Sequence, residues 1–93
     1  MGYWPMLNEK HFGPIERVML VKMTPCLICR QLPSENAHLV SRGAGGTYKD
    51  IIPLCHKHHS QLDIKGRTSF EAIHNINLDV AVVEFQAKLE EML

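Results

Sequence analysis

The stretch PLCHKHHSQLD, residues 53–63, concentrates side chains that can bind metal ions. It holds one thiol, three imidazoles and one carboxylate, on Cys55, His56, His58, His59 and Asp63. Thiolate and imidazole are ligands that Zn²⁺ favours, whereas carboxylate oxygen also suits Mg²⁺ and Mn²⁺. The stretch therefore predicts metal chemistry, and the spacing of its residues must decide how many ions it serves.

A structural zinc site is predicted by two paired motifs. Cys26 and Cys29 form C-x-x-C, and Cys55 with His58 forms C-x-x-H, so the four side chains make a tetrahedral Cys3His set. The alternatives are a disulfide with a spare thiol and a redox C-x-x-C. Three cysteines in a cytosolic chain argue against the first, and the missing βαβ context argues against the second. Such zinc can contribute on the order of 10 kcal/mol to folding.

A helix from Cys55 to about Ile64 divides these ligands between two faces. Each residue turns a helix by about 100°, so His58 and His59 diverge and are poorly placed to share an ion. Cys55 and His58 can face the C-x-x-C motif, whereas His59 and Asp63, at i and i+4, share another face. That pair predicts a second, open site for Mg²⁺ or Mn²⁺, with Ni²⁺, Co²⁺ or Zn²⁺ also tolerated. His56 is predicted to be exposed, to contact phosphate or to support a ligand.

The elements that must position these side chains include a hairpin directly before the helix. Two short strands are predicted, AHLVS at 37–41 and IIPL at 51–54, around the glycine-rich loop RGAGGT. The first strand carries His38 and the second follows Asp50. Basic side chains lie near the loop and on the helix and are candidate DNA contacts: Arg42, Lys49 and Lys57.

The remaining segments predict a small α+β domain. Residues 2–14 predict an irregular arm, and 15–23 a strand or a short helix. Further expected features are a core-anchoring Leu62, a helix stop at Gly66, a capping box at 68–71, an N-cap at Asn77 and an amphipathic C-terminal helix at about 78–92.

Length and composition favour one ordinary domain over residues 1–93. Apolar residues make up 45% and charged residues 22%, without a run long enough for a membrane span or the pattern of a signal peptide. We therefore expect a cytoplasmic protein, a monomer or a homodimer. Residues 1–67 carry nine basic and five acidic side chains and residues 68–93 one and five, which allows a nucleic-acid face near the histidines.

Three stretches together resemble the HNH endonucleases, whose core is the ββα-metal fold. The stretches are AHLVSRGAGG, DIIPLC and HKHHSQLD, followed by IKGRTSF. With the C-x-x-C motif the resemblance covers about residues 24–74 and is closest to small HNH proteins of phages and prophages. It implies a zinc-stapled ββα-metal core with flanking helices.

The resemblance also implies roles for individual residues. His38 matches the general base that activates water, and Asp50 matches the middle Asn, which braces the hairpin and sometimes binds metal. His59 matches a metal ligand, and Asp63 stands where close relatives have a second helical histidine. Single-metal hydrolysis of a DNA phosphodiester follows, with His38, Asp50 and His59 as catalytic residues and little sequence specificity.

The chain departs from the family at three positions. Ala37 replaces an Asp ligand found in many relatives, and both the middle Asn and the last His are Asp here. These changes favour oxygen-preferring ions. Two other functions remain open, a zinc-stapled DNA-binding or recombination accessory module without catalysis, and a structural zinc protein that binds another protein.

Overall fold

The protein is an α+β fold in which helices surround a two-stranded antiparallel sheet. The structure, a computed structural model, describes residues 6–40 and 44–93. In chain order its elements are α1 (Met6–Phe12), α2 (Ile15–Met23), β1 (Glu35–His38), a 3₁₀ turn (Tyr48–Asp50), β2 (Ile51–Leu54), α3 (His56–Lys65), α4 (Arg67–His74) and α5 (Leu78–Met92). Within the described segments, no helix is long and apolar enough to cross a membrane.

The two strands form a short hairpin in which Ala37 lies opposite Ile52 and His38 opposite Ile51. The second strand was predicted correctly, but the first begins two residues earlier than the predicted 37–41. Pairing ends at His38 because β2 starts only at Ile51, after the 3₁₀ turn. One more backbone hydrogen bond lies beyond the paired residues, from the Leu39 amide to the Asp50 carbonyl at 2.9 Å.

The sheet has two apolar faces because neighbouring residues of β2 point in opposite directions. Ile52 and Leu54 pack into one cluster, which includes Leu62 of α3 and Phe70 of α4. Ile51 packs into a second cluster, formed with Val21 of α2 and with Phe85 and Leu89 of α5. All four residues of β2 are buried, so this strand lies at the centre of the molecule.

The predicted irregular N-terminal arm is wrong over residues 6–12, which form α1. Gly13 ends α1 with φ +80°, a left-handed conformation that glycine adopts without steric cost. A Cβ at this position would lie 2.8 Å from Cδ of Arg17. Pro14 then caps the start of α2. Gly13 and Pro14 therefore mark a tight junction between two helices.

The helix boundaries after the hairpin agree with the sequence except at α4. Gly66 ends α3 at φ +83°, as predicted, but it also directly precedes α4. Thr68 therefore lies inside α4, and the predicted capping box does not form. The carboxylate of Glu71 instead accepts a hydrogen bond from the Leu78 amide at 2.7 Å, at the start of α5. Asn77 caps α5 as predicted, accepting from the Val80 amide at 3.1 Å.

A buried arginine ties α2 to α5. The side chain of Arg17 is 6% exposed and pairs at 2.7 Å with Glu90, whose side chain is 62% exposed. It also donates to Gln86, and its guanidinium lies 4.6 Å from the centre of the Tyr48 ring. The aliphatic stem and the stacked guanidinium thus fill space between the two helices and the 3₁₀ turn.

We predict that Arg17→Ala lowers the free energy of unfolding by about 1–3 kcal/mol, because it removes buried packing as well as an ion pair. Glu90→Gln is the matched control and should change it by less than about 1 kcal/mol, since the carboxylate is 62% exposed and the amide oxygen of Gln can still accept from the guanidinium. Urea titration of zinc-loaded protein measures both values. Equal losses in the two variants would show that the ion pair, and not the packing of the stem, holds these helices together.

Candidate metal centres

Four side chains converge on one point between the knuckle at 26–29 and the start of α3. The ligand atoms of Cys26, Cys29, Cys55 and His58 all lie within 4.8 Å of one another. Cys29 Sγ is 3.7 Å from Cys55 Sγ, and His58 Nδ1 is 3.6 Å from Cys26 Sγ and 3.2 Å from Cys55 Sγ. A tetrahedral zinc site has S–S edges of about 3.8 Å and S–N edges of about 3.6 Å. The group could therefore hold a metal ion such as zinc.

Backbone hydrogen bonds hold the knuckle at 26–29 in its shape without the help of an ion. The Cys26 amide donates to the Gln31 carbonyl at 3.0 Å, and the Arg30 amide donates to the Cys26 carbonyl at 2.9 Å. Arg30 closes this turn in the left-handed region, at φ 64°. The Leu27 amide donates to the Pro53 carbonyl of β2 at 3.1 Å. That bond holds the knuckle against the strand that leads to Cys55.

The surroundings of Cys26 and Cys29 shift the pKa values of these two thiols in opposite directions. Burial of Cys26 opposes its ionisation, but the amides of Cys29, Cys55 and Ile28 outweigh that effect and lower its pKa. For Cys29 the Gln31 amide favours the thiolate, yet burial and the neighbouring thiols together raise the pKa. A thiolate therefore forms more readily at Cys26 than at Cys29, and a cation would relieve the cost of placing a second thiolate beside the first.

His58 is prepared to act as a neutral ligand. Burial, followed by the charges of His74 and Lys57, lowers its pKa. The ring of His74 lies edge-on to that of His58, with centroids 5.2 Å apart. Because only the neutral imidazole binds metal, a lowered pKa keeps His58 available at pH 7.

The three cysteines are free thiols in the structure.

The neighbouring histidine belongs to a different surface of α3. His59 Nε2 lies 3.8 Å from Asp63 Oδ2, one helical turn further on. Both residues line an open cavity of about 490 Å³, together with His38 and Asn36 of β1. The structure therefore brings three of the predicted catalytic or ligand residues, His38, His59 and Asp63, to one cavity.

His38 is oriented by the segment that precedes it. Its Nε2 donates to the carbonyl of His11 at the end of α1, and its ring lies edge-on to Phe12 at 4.8 Å between centroids. A carbonyl can only accept, so Nε2 carries the hydrogen and Nδ1 is the basic nitrogen of the neutral ring. The helix that replaces the predicted irregular arm thus fixes the tautomer of His38.

Asn36 was missed by the sequence analysis although it shares a strand face with His38. Its Nδ2 donates to the Val18 carbonyl at 3.3 Å. Its Oδ1 is buried and has no hydrogen-bond partner among the described residues. Buried polar atoms are nearly always paired, so an Oδ1 without a partner among the described residues is an exception to that rule. The sequence signal that could have identified Asn36 is its spacing of two residues from His38, which places both side chains on one face of a strand.

Two charged residues near this cavity were also missed. Glu35 Oε1 lies 2.8 Å from His59 Nδ1, and its Oε2 lies 3.0 Å from His56 Nδ1. The hydrogen bond with His59 is the largest cause that lowers the pKa of Glu35, with His56 adding to it. Arg67 lines the cavity and donates to Asp79 at 2.7 Å. Arg67 lies in the stretch IKGRTSF, to which the sequence analysis assigned no functional residue.

Other predicted site residues lie elsewhere. Asp50 Oδ2 accepts from the Thr47 amide at 2.9 Å and closes the capping box of the 3₁₀ turn, and it is not among the described residues that line the cavity. Lys49 lies in a groove beside α5, and Lys57 in a groove beside the cysteine group. Arg42 lies outside the described residues.

His59 and Asp63 form a pair that no third side chain of these types extends among the described residues. Across residues 6–40 and 44–93, the Cys3His group is the one cluster of three or more His, Cys, Asp or Glu side chains close enough to share an ion. Position 37 contributes no ligand atom, because the side chain of Ala37 is a methyl group that is fully buried in the core. An ion bound by this pair would keep most of its coordination positions for water or substrate.

We predict that the adjacent histidines respond in opposite ways to substitution. His58→Ala should abolish binding of one zinc per chain and lower the melting temperature, because it removes a ligand of the Cys3His group. His59→Ala is the matched control and should retain the zinc, because its ring lies on another face of α3. Native mass spectrometry and a thermal melt of each variant check this. Zinc lost from His59→Ala, or kept by His58→Ala, would contradict the two-face arrangement.

Comparisons with known proteins add no assignment to this geometry. Searches with family models, among curated proteins and among solved structures each find no match. The Cys3His group and the cavity lined by His38, His59 and Asp63 are therefore the features that bear on function.

Proposed function

We propose that the protein is a metal-dependent endonuclease that hydrolyses phosphodiester bonds in DNA, built on an HNH-type ββα-metal core. The observation that carries the proposal is the shared cavity of His38, His59 and Asp63. The order of elements supports it, since β1 with His38 pairs with β2 and leads into α3 with His59. The Cys3His group supports it as the zinc site that fixes α3 to the hairpin.

The second pair of ligands fits a divalent ion. Ions such as Mg²⁺ lie about 2.1 Å from their ligands, so one ion can contact both His59 Nε2 and Asp63 Oδ2 across their 3.8 Å separation. Asp63 is 69% exposed, and its side chain can adjust to the ion. Asn36 lines the same cavity. Mixed nitrogen and oxygen ligands favour Mg²⁺ or Mn²⁺ and tolerate Ni²⁺ or Co²⁺.

The chemistry divides between the strand and the helix. His38, held by the His11 carbonyl, accepts a proton from the water that attacks phosphorus. His59 and Asp63 would hold the ion, which would supply Lewis-acid stabilisation to the phosphate and the leaving oxygen. Arg67 lines the same cavity and offers its guanidinium to a phosphate oxygen, while Asp79 restrains it.

One specific observation favours a second candidate function. The ligand pair lacks a third carboxylate or histidine among the described residues, and Ala37 is buried. A zinc-stapled DNA-binding module without catalysis would need the Cys3His group but no complete second set of ligands. Nicking of supercoiled plasmid across Mg²⁺, Mn²⁺, Ni²⁺ and Co²⁺ separates the two functions. A salt-dependent gel shift without cleavage under all four ions would support the binding module and reject the nuclease.

We predict that His38→Ala reduces the nicking rate by roughly 10²–10⁴-fold, the usual contribution of a general base. Zinc content should stay at the wild-type level, because His38 is not in the Cys3His group. His38→Gln is a second variant that keeps a donor toward the His11 carbonyl, and it should lose a similar share of activity. Recovery of the wild-type rate at high Mn²⁺ would make His38 a metal ligand and reject its role as the base.

We predict that Asp63→Ala raises the Mn²⁺ concentration needed for half-maximal nicking, because it removes the only carboxylate of the ligand pair. The fold and the zinc should be retained, since the side chain is exposed. Glu91→Ala, which removes an exposed carboxylate from α5, is the matched control and should leave the midpoint unchanged. An unchanged midpoint in Asp63→Ala would remove this residue from the site.

A further inference from the structure

Glu35 contacts two histidines of α3 at the same time. It is the first residue of β1 and pairs with Leu54, directly before the turn into α3. Oε1 lies 2.8 Å from Nδ1 of His59 and Oε2 lies 3.0 Å from Nδ1 of His56. The ring of His59 is 25% exposed and that of His56 is 84% exposed. The contact with His59 is therefore the more shielded from water.

The contact between Glu35 and His59 determines where the proton of the imidazole lies. An ionised carboxylate can only accept hydrogen bonds, so Nδ1 of His59 must carry the hydrogen. The lone pair of the neutral ring is then on Nε2. That nitrogen is the one that lies 3.8 Å from Oδ2 of Asp63. A ring with the opposite tautomer would present a hydrogen to an ion at that place.

We propose that Glu35 is a positioning residue for His59, which it holds in the Nδ1–H tautomer with Nε2 directed toward Asp63. The inference rests on the proposed function for the meaning of that orientation, namely the binding of a second ion. In metal sites generally, a ligating histidine donates its other N–H to a carboxylate or carbonyl, which fixes the ring and raises its basicity. Glu35 supplies this group from the neighbouring strand.

Two other roles for Glu35 predict different behaviour. As a ligand, it would have to share an ion with His56 and His59, yet these three do not form a group of ligand atoms within 4.8 Å. As a simple surface ion pair, it would contribute little to any property of the site. A Gln at position 35 separates the roles, because its amide oxygen still accepts from an N–H but binds divalent ions poorly.

The first test needs neither the second ion nor DNA. Imidazole ¹⁵N chemical shifts of zinc-loaded protein at about pH 8, where an ordinary histidine is neutral, report the tautomer of His59. We expect Nδ1–H in the wild type and in Glu35→Gln, and a mixture of tautomers in Glu35→Ala. An Nε2–H tautomer in the wild type overturns the proposal, as does an unchanged tautomer in a zinc-loaded Glu35→Ala.

The second test measures binding of Mn²⁺ to zinc-loaded protein by electron paramagnetic resonance. Glu35→Ala should weaken binding by about 10–100-fold, the usual effect of removing such a partner, and Glu35→Gln should retain most of the affinity. His56→Ala, which removes the other contact of the carboxylate, is the matched control and should bind as the wild type does. Equal losses in the Gln and Ala variants would make Glu35 a ligand and overturn the positioning role.

These outcomes are separable from failure of the proposed function. A protein that cleaves no DNA but shows the expected tautomers and Mn²⁺ affinities retains the positioning role and loses the nuclease. A protein whose Glu35→Ala variant nicks DNA at the wild-type rate, at the Mn²⁺ concentration that is half-maximal for the wild type, retains the nuclease and loses the positioning role.

Discussion

The rotation of α3 about its own axis is the constraint on which the two sites depend. Cys55 precedes the first residue of this helix and His58 lies in its first turn, and both must face Cys26 and Cys29 to complete the Cys3His group. Once that face is set, the helical repeat of about 100° per residue leaves His59 and Asp63 no freedom to point elsewhere. Leu62 is directed into the core by the same rotation. The contacts of the Cys3His group thus set the direction of His59 and Asp63, which are not part of that group.

The centre of the fold and the division of the ligands could be predicted because both follow from short-range periodicity. The apolar run at 51–54 and the i, i+3 and i, i+4 spacings around His58 and His59 need no tertiary information. The start of β1 and the N-terminal helix could not be predicted in the same way. The extent of β1 depends on where its partner begins, and α1 depends on contacts with residues far along the chain. The His11 Nδ1 hydrogen bond to the Gly46 carbonyl, 2.8 Å long, is one of these contacts.

The residues that sequence reasoning missed are those whose roles come from a neighbouring element. Glu35 is unremarkable in the sequence, and only antiparallel pairing of β1 with β2 brings it beside the start of α3. Arg67 reaches the cavity because Gly66, at φ +83°, turns the chain between two helices. Asp50 was assigned through the resemblance, in which the matching residue braces the hairpin and sometimes binds metal, and in the structure its carboxylate caps the 3₁₀ turn between the two strands.

The small number of ligands in the second site has a consequence for how the proposed nuclease would meet its substrate. His59 is neutral as a ligand and Asp63 carries one charge, so a divalent ion between them would keep a net positive charge. Mg²⁺ sites of this kind hold few protein ligands and take further oxygens from water and from substrate phosphates. The ion would then bind free protein weakly and DNA-bound protein more tightly, because a phosphate oxygen completes its coordination. Ala37 fits this arrangement, since a carboxylate at that fully buried position would have to enter the core.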